Sequence, residues 1–368
     1  MSEKEQDAPA KGNSGKASRK TRLFLKQPMM TRMLIALAPV LVAGVYFFGW
    51  RVLGVLVVTL VAGVATEYLM ERPRGKGVSA ACFVTCALYA LSLPPTMPFW
   101  MVVVGIVVGL LFGKEVYGGF GRNWCNPAIV GRAFVYVAFP VHMTGSFVPA
   151  FRGFPGGFAH WSFESLGELP TWLSGKVAAL ADAVPMATPG IAARDYGLET
   201  DWTSLFWGSI GGTFETDAGT RVLAAGSVGE VCAPLIILAG VYLIVTRTAD
   251  WRLMLSMLIG ALGVNAILLA AGADRTLTMP QVLFGGSLLY GAVYMVTEPI
   301  SAPKRKSAKW IYGVLVGTLL VLIRWKGQFA GSLSFSLLLG NMLAPSIDMG
   351  VQAWKNRGKT DPAKETTT

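Results

Sequence analysis

Histidine is almost missing from this chain, which carries two, His142 and His160, in 368 residues. A haem held between membrane helices needs axial ligands inside the apolar segments, most often histidine. Both histidines fall in one polar stretch, which argues against a cytochrome. Charge is scarce as well. Asp, Glu, Lys and Arg make up 14% of the residues, against about 25% in a soluble domain, and a soluble globular reading fails on that deficit. Cysteine is limited to Cys82, Cys86, Cys125 and Cys232. Cys82 and Cys86 share a helix face, but no second pair stands at ligand spacing, so small apolar packing is favoured over a metal site. Phosphate and dinucleotide fingerprints are absent too. GGFGRNW (118–124) has neither the preceding strand nor the following soluble helix that would give its glycines meaning.

Long apolar runs take up the space that charge leaves. MLIALAPVLVAGVYFFGW (33–50) and APLIILAGVYLIVT (233–246) approach the roughly 20 residues that cross a bilayer. Ten candidate spans follow: 33–50, 51–70, 77–93, 98–113, 127–140, 228–246, 252–271, 280–297, 309–324 and 331–348. The expected fold class is an all-α polytopic membrane protein, with helices one to five in 33–140 and six to ten in 228–349. Five plus five is the arithmetic of an inverted repeat. Residues 1–32 and 350–368 read as cytoplasmic tails, and no cleavable signal is visible.

Charge sets the orientation. With both termini cytoplasmic, 24 of the 32 Lys and Arg fall inside, including RPRGK (72–76), Arg132 and KRKSAK (304–309). Arg51, Arg152, Lys176, Arg194, Arg221, Arg275, Arg324 and Lys326 stay outside, as the positive-inside rule asks. The net charge of +11 therefore follows from topology, and no nucleic-acid partner is implied. Segment 141–227 is the long periplasmic loop in this orientation, with eight acidic residues against four basic ones. A loop of that length is usually functional or partly folded. It contains ADAVPMATPG (181–190), where Thr188 is the only hydroxyl.

Two junctions, GKEVYGGFGRNWCNPAIVGRAF (113–134) and VTEPISAPKRKSAKWIYG (296–313), mix Gly or Pro with ionisable residues at membrane ends. Such backbone is tolerated only where protein buries it or a polar cavity runs beside it. Glu115 and Glu298 lie in these junctions, and with Glu230 they are candidates for an ion pathway. Glu67 and Asp348 read equally as acids that reach interfacial water. Gly118 and Gly119 supply flexible backbone, and Asn123 and Asn126 can both bond the edge of one heteroaromatic ligand. A tight turn and a helix cap, with Pro127 at the first helical position, account for the same residues.

LPPTMPFW (93–100), GKEVYGGFGRNWCNPAIVGRAF, GSVGE (226–230), TEPISA (297–302), KWIYGVLVGTLLVLIR (309–324) and GNMLAPSID (340–348) occur in this order. Together they resemble the NqrB/RnfD family of membrane proteins, which serve the sodium-translocating NADH–quinone reductase and the Rnf electron-transport complex, from about residue 30 to about 350. The resemblance implies a ten-helix inner-membrane subunit that carries FMN as a phosphoester on a threonine, in a pattern like Asp-x-x-Ser-Gly-Ala-Thr. DAVPMAT (182–188) matches it at Asp182, Ala187 and Thr188, while Pro185 and Met186 replace the Ser-Gly. The resemblance also implies riboflavin near the cytoplasmic side, a quinone site close to KEVYGG and a flavin transferase that loads the threonine. NADH or ferredoxin chemistry would lie on partner subunits of the membrane complex, and this chain would hold no catalytic group or metal of its own. It would pass electrons between flavins while the bacterial complex moves Na+ or H+. The 32-residue leading tail points to the Rnf type, whereas PPTMPFW and EPISA also suit the reductase. The competing class is a cofactor-free secondary transporter, or a scaffold subunit, with inverted repeats.

Overall fold

Proline and polar punctuation delimit the helices. In the computed structural model, which describes residues 24–25, 27–162, 187–216, 219–327 and 331–357, helix α1 (Pro28–Phe48) starts with Pro28 in its first turn. A missing proline N–H costs nothing there. It is followed by α2 (Arg51–Glu71), α3 (Ala80–Leu91), α4 (Phe99–Leu110), α5 (Pro127–Ala138) and the short α6 (Pro140–Gly145). Helix α4 reads FWMVVVGIVVGL, a β-branched run that would suit a strand in water. In hydrocarbon each backbone group must be paired within its own segment, and that requirement favours a helix.

The second half contains α9 (Ala233–Val245), α10 (Trp251–Ala270), α11 (Met279–Phe284), α12 (Leu288–Tyr290), α13 (Lys306–Lys326) and α14 (Ser332–Arg357). Each of the ten apolar runs is therefore largely helical, although 280–297 is broken into pieces. Among the described residues four helical stretches, Pro28–Phe48, Arg51–Arg74, Trp251–Ala270 and Lys306–Lys326, are long and apolar enough to cross a membrane. Helices α3, α5 and α9 are apolar but shorter. This is a mostly helical, polytopic membrane protein.

The halves interlock. Tyr290 donates to the Leu88 carbonyl at 3.0 Å and Tyr294 to the Ala36 carbonyl at 3.0 Å, both fully buried. Helices α10 and α13 meet backbone to backbone. A Cβ on Gly317 would run into the Met257 carbonyl and stand 2.8 Å from the Ala261 nitrogen. Overpacking of that kind costs about 1–3 kcal/mol, so Gly317→Val is expected to lower the thermal midpoint in detergent clearly. Gly263→Ala, where nothing lies within 4 Å, is expected to leave that midpoint unchanged.

Segment 141–227 is folded where it is described. Helices α7 (Pro189–Tyr196) and α8 (Trp202–Trp207) precede a hairpin of β3 (Thr213–Thr216) and β4 (Gly219–Val222). An isolated parallel bridge ties Ala187 to Leu223, and Phe147, Phe151, Leu205 and Leu223 are buried beneath it. We call this end of the bundle the loop end. The other, where Arg32 reaches the Thr246 carbonyl at 2.9 Å, is the tail end. There β1 (Phe24–Leu25) runs parallel to β2 (Val78–Ser79).

Candidate functional site

At the loop end, Thr188 is placed by its neighbours on both sides. Ala187 is 2% exposed and bonded through its N–H and C=O to Val222 and Ala224. Pro189 begins α7, so Thr188 is its N-cap residue, in extended backbone with φ −67° and ψ 159°. An N-cap threonine normally accepts a bond from the first turn. The Thr188 side chain makes no such bond; half-buried, it lines a cavity at this end of the bundle.

That cavity collects arginines. Arg132 from α5, Arg194 from α7 and Arg324 from α13 all line it, with Glu230 as the one carboxylate among the described lining residues. Arg132 Nη2 donates to Glu230 Oε1 at 3.0 Å and to Ser227 Oγ at 3.2 Å. Arg324 Nη2 donates to Ser287 Oγ at 3.3 Å. Arg194 donates to the carbonyls of Arg324 and Gly327 and pairs with Asp195 at 2.8 Å. That pairing holds the Asp195 carboxyl below the usual carboxylate range. Arg132 Nε and Nη1, Arg324 Nη1 and Ser332 Oγ have no partner among the described residues.

The cavity that Arg132 shares with Thr188 and Arg324 corrects the charge map: Arg132 lies with Arg194 and Arg324, which that map assigned to the side opposite its own. Read by spacing alone, a guanidinium in a short apolar helix resembles an inner anchor; the ion pair with Glu230 draws it toward the loop end. Glu230, expected on an ion pathway, is placed in this cavity. Asp182, Pro185 and Met186 lie outside the described residues.

The tail end holds a second cavity, between α1, α3 and the two junctions. Its walls include Met30, Met33, Val84 and Leu88, and its polar edge includes Asn123, Asn126 and Glu298. Asn123 Nδ2 donates to Glu298 Oε1 at 2.7 Å, and Ser301 Oγ donates to Glu298 Oε2 at 2.8 Å. Asn126 Oδ1 caps α5 by accepting from the Ala128 N–H at 3.0 Å, with Pro127 in the first turn. Its Nδ2 has no partner among the described residues. Gly118 and Gly119 are not among the residues lining this cavity. Both have positive φ, and a side chain on Gly119 would displace the Glu71 carboxylate.

Two π-helical turns, Leu111–Glu115 and Gly291–Met295, lead into these junctions. A π turn accommodates one extra residue and often marks a functional position. The first turns Lys114 and Glu115 into the protein. Lys114 Nζ donates to Glu67 Oε2 at 2.5 Å and to Ser79 Oγ at 2.9 Å, all buried. Glu115 accepts from Arg74 at 3.0 Å, and Arg74 also holds Glu71 at 3.0 Å. Asp348 accepts the N–H groups of Lys304 and Arg305 at 2.9 and 3.2 Å, anchoring the second junction. Cys82 and Cys86 are buried in the apolar core with sulfurs 4.0 Å apart.

Sequence reading missed the arginine cluster and the Lys114–Glu67 pair. The available signal was the presence of Arg132, Arg324 and Lys114 in or beside apolar runs, where an ionisable group needs a partner.

Comparison with known proteins extends over nearly the whole described chain. The NQR2, RnfD, RnfE family profile matches residues 25–356. The B subunit of the Na(+)-translocating NADH-quinone reductase of Pseudoalteromonas atlantica is 35% identical over 303 residues, 80% of this chain and 65% of that protein. Its namesake from Azotobacter vinelandii is 30% identical over 302 residues, 80% of this chain and 66% of that one. The Klebsiella pneumoniae protein of the same name is 32% identical over 324 residues, 86% of this chain and 69% of that protein. The chain thus spans about two thirds of the length of these relatives, and on the extent of the match it belongs to the NQR2, RnfD, RnfE family.

Proposed function

We propose that this chain is the flavin-carrying membrane subunit of an ion-translocating electron-transport complex, of the NADH–quinone reductase or Rnf type, with FMN joined to Thr188 through its phosphate. The observation that carries the reading is the Thr188 hydroxyl, which makes no cap bond and lines a cavity whose arginines retain N–H groups without a partner among the described residues. When bound, a flavin supplies one- and two-electron redox chemistry. The chain's residues do the rest. Ala187 and Pro189 hold Thr188 in extended backbone, and the first turn of α7 and the guanidiniums complement a phosphate's charge.

Riboflavin suits the tail-end cavity: apolar walls for a planar ring, and at one edge the Asn126 Nδ2, without a partner among the described residues. Phe112, Val116, Tyr117 and Phe120, exposed around KEVYGG, offer a quinone its approach. Ten helices cross the bacterial inner membrane in this reading, five plus five, with both tails cytoplasmic and Thr188 periplasmic. NADH or ferredoxin chemistry lies on partner subunits. The test is direct: co-expressed with a flavin transferase and purified, the chain is expected to be yellow and to carry covalent FMN. A colourless protein would overturn the reading in favour of a cofactor-free transporter or scaffold.

Glu298 and Glu115 are proposed to serve cation movement, either Na+ or H+. Glu298 faces the tail-end cavity with only the neutral donors Asn123 and Ser301 on its oxygens. No Lys or Arg lies within 4.0 Å of it among the described residues. Glu298→Gln keeps the shape and removes the charge, and is expected to uncouple electron transfer from ion movement in the reconstituted complex. Glu115→Gln, next to Arg74, is expected to weaken coupling less. Full coupled turnover by both variants across Na+ concentrations and pH would make the two acids structural.

A further inference from the structure

The loop-end cavity holds more than a threonine needs. We propose that Arg132, Arg194 and Arg324 form a preformed phosphate-monoester site, which binds the phosphate end of free FMN without any covalent bond. The identity of the flavin rests on the reading of Thr188 given above; the anion site itself does not.

Its evidence is an imbalance of donors. Arg132 is 2% exposed, and its Nε and Nη1 have no acceptor among the described residues. Arg324 Nη1 is in the same position, as is Ser332 Oγ on a residue 1% exposed. A guanidinium cannot shed its charge, and a buried N–H without an acceptor is costly. Glu230 answers one face of Arg132, and Asp195 answers Arg194 from a side chain 29% exposed. Tyr136, whose ring centroid lies 5.8 Å from the Arg132 guanidinium carbon, sets a neutral hydroxyl beside it and no second carboxylate. That leaves Arg324 with no carboxylate partner among the described residues and Arg132 with Glu230 alone.

Two further features converge on the same space. Helix α7 begins here, and Gly190 and Ile191 of its first turn line the cavity. The first N–H groups of a helix have no partner within it, and Thr188 leaves them uncapped. A helix start of this kind favours an anion. Gly286 also makes way, because a Cβ there would stand 2.9 Å from Arg324 Nη2. Donors therefore approach from α5, α7, α13 and α14, which suits the several oxygens of a phosphate dianion better than the two of a carboxylate. In a chain where Pro185 and Met186 stand in place of Ser-Gly, such a site would seat FMN before, or in place of, the phosphoester.

The test uses the full-length Thr188→Ala protein, produced without flavin transferase and placed in lipid nanodiscs. FMN and riboflavin are titrated separately by flavin fluorescence. Added inorganic phosphate is expected to weaken FMN binding at least tenfold and to leave riboflavin, which has its own seat at the tail end, unchanged. Arg324→Ala is expected to weaken FMN about tenfold and leave riboflavin unchanged, with Arg324→Lys falling between. FMN binding in Thr188→Ala that phosphate does not weaken, a measurement that needs no arginine variant, would overturn the site. FMN binding untouched by Arg324→Ala would do the same. The two readings fail separately. Wild type that never takes covalent FMN while Thr188→Ala still binds FMN in competition with phosphate loses the phosphoester and keeps the site. Covalent loading with phosphate-insensitive FMN binding in Thr188→Ala loses the site alone.

Discussion

Thr188→Ala is expected to abolish covalent flavin outright. Wild-type protein co-expressed with a flavin transferase, denatured and run on a gel, should give a fluorescent band, and its 181–190 peptide should carry an FMN-sized mass increment. The variant should give neither. The expectation is all-or-none because Thr188 is the only hydroxyl in that decapeptide. Its position also excludes the nearby alternatives. Ala187 and Leu223 pin the backbone on one side and helix α7 pins it on the other. Ser227 and Ser287, the hydroxyls deeper in the cavity, are 1% and 3% exposed and engaged by Arg132 and Arg324. Ser332 is buried as well. A transferase that reaches the loop end would find Thr188 the least buried of these hydroxyls. Folding should survive the change, because the threonine side chain caps nothing. Wild type without bound flavin after co-expression would leave Thr188 as an ordinary turn residue.

The parts of this molecule that a bilayer dictates could be read from the amino acids. Apolar runs become helices because hydrocarbon leaves the backbone little choice, and Asn126–Pro127 caps α5 as the residue types require. What depends on contacts across the chain was not legible. The π turns at Leu111–Glu115 and Gly291–Met295 add one residue to a helix without changing its composition. They redirect Lys114, which spacing alone assigns to a solvated helix end. Arg132 and Arg324 come from distant helices, and only folding shows that they share a cavity with Thr188. Asn123 and Glu298 were each singled out in separate junctions, yet their bond at 2.7 Å belongs to the tertiary structure. The loop was legible as unusual but not as a small folded cap, since its bridges, Ala187 with Leu223 among them, are too short to leave a periodic pattern.

Lys114→Met is expected to be among the most destabilising single changes in the bundle. Lys114 and Glu67 are 3% and 1% exposed at the side chain, with Nζ and Oε2 2.5 Å apart. The same carboxylate accepts the Ser79 N–H at 2.8 Å, and Lys114 also donates to Ser79 Oγ. This network joins α2, strand β2 before α3 and the π segment after α4. Removing one partner of a buried pair leaves an uncompensated charge and costs about 3–5 kcal/mol, whereas replacing both with apolar groups is often close to neutral. Glu115, 3.8 Å from Lys114, would lose a nearby cation in the same variant and so deepen the loss. Thermal unfolding in detergent micelles, followed by tryptophan fluorescence, measures the effect. Lys114→Met and Glu67→Leu should each depress the midpoint sharply, and the double variant should recover part of the loss, since Glu115 still lacks its cation and the Ser79 N–H its acceptor. Single variants no worse than the double would mean that water already reaches the pair. The second π turn has no equivalent charge to hold: its residues are Gly291, Ala292, Val293, Tyr294 and Met295. The large penalty is therefore expected on the first side only, and Val293→Ala in the matching turn should cost no more than its buried methyl groups, about 1–2 kcal/mol.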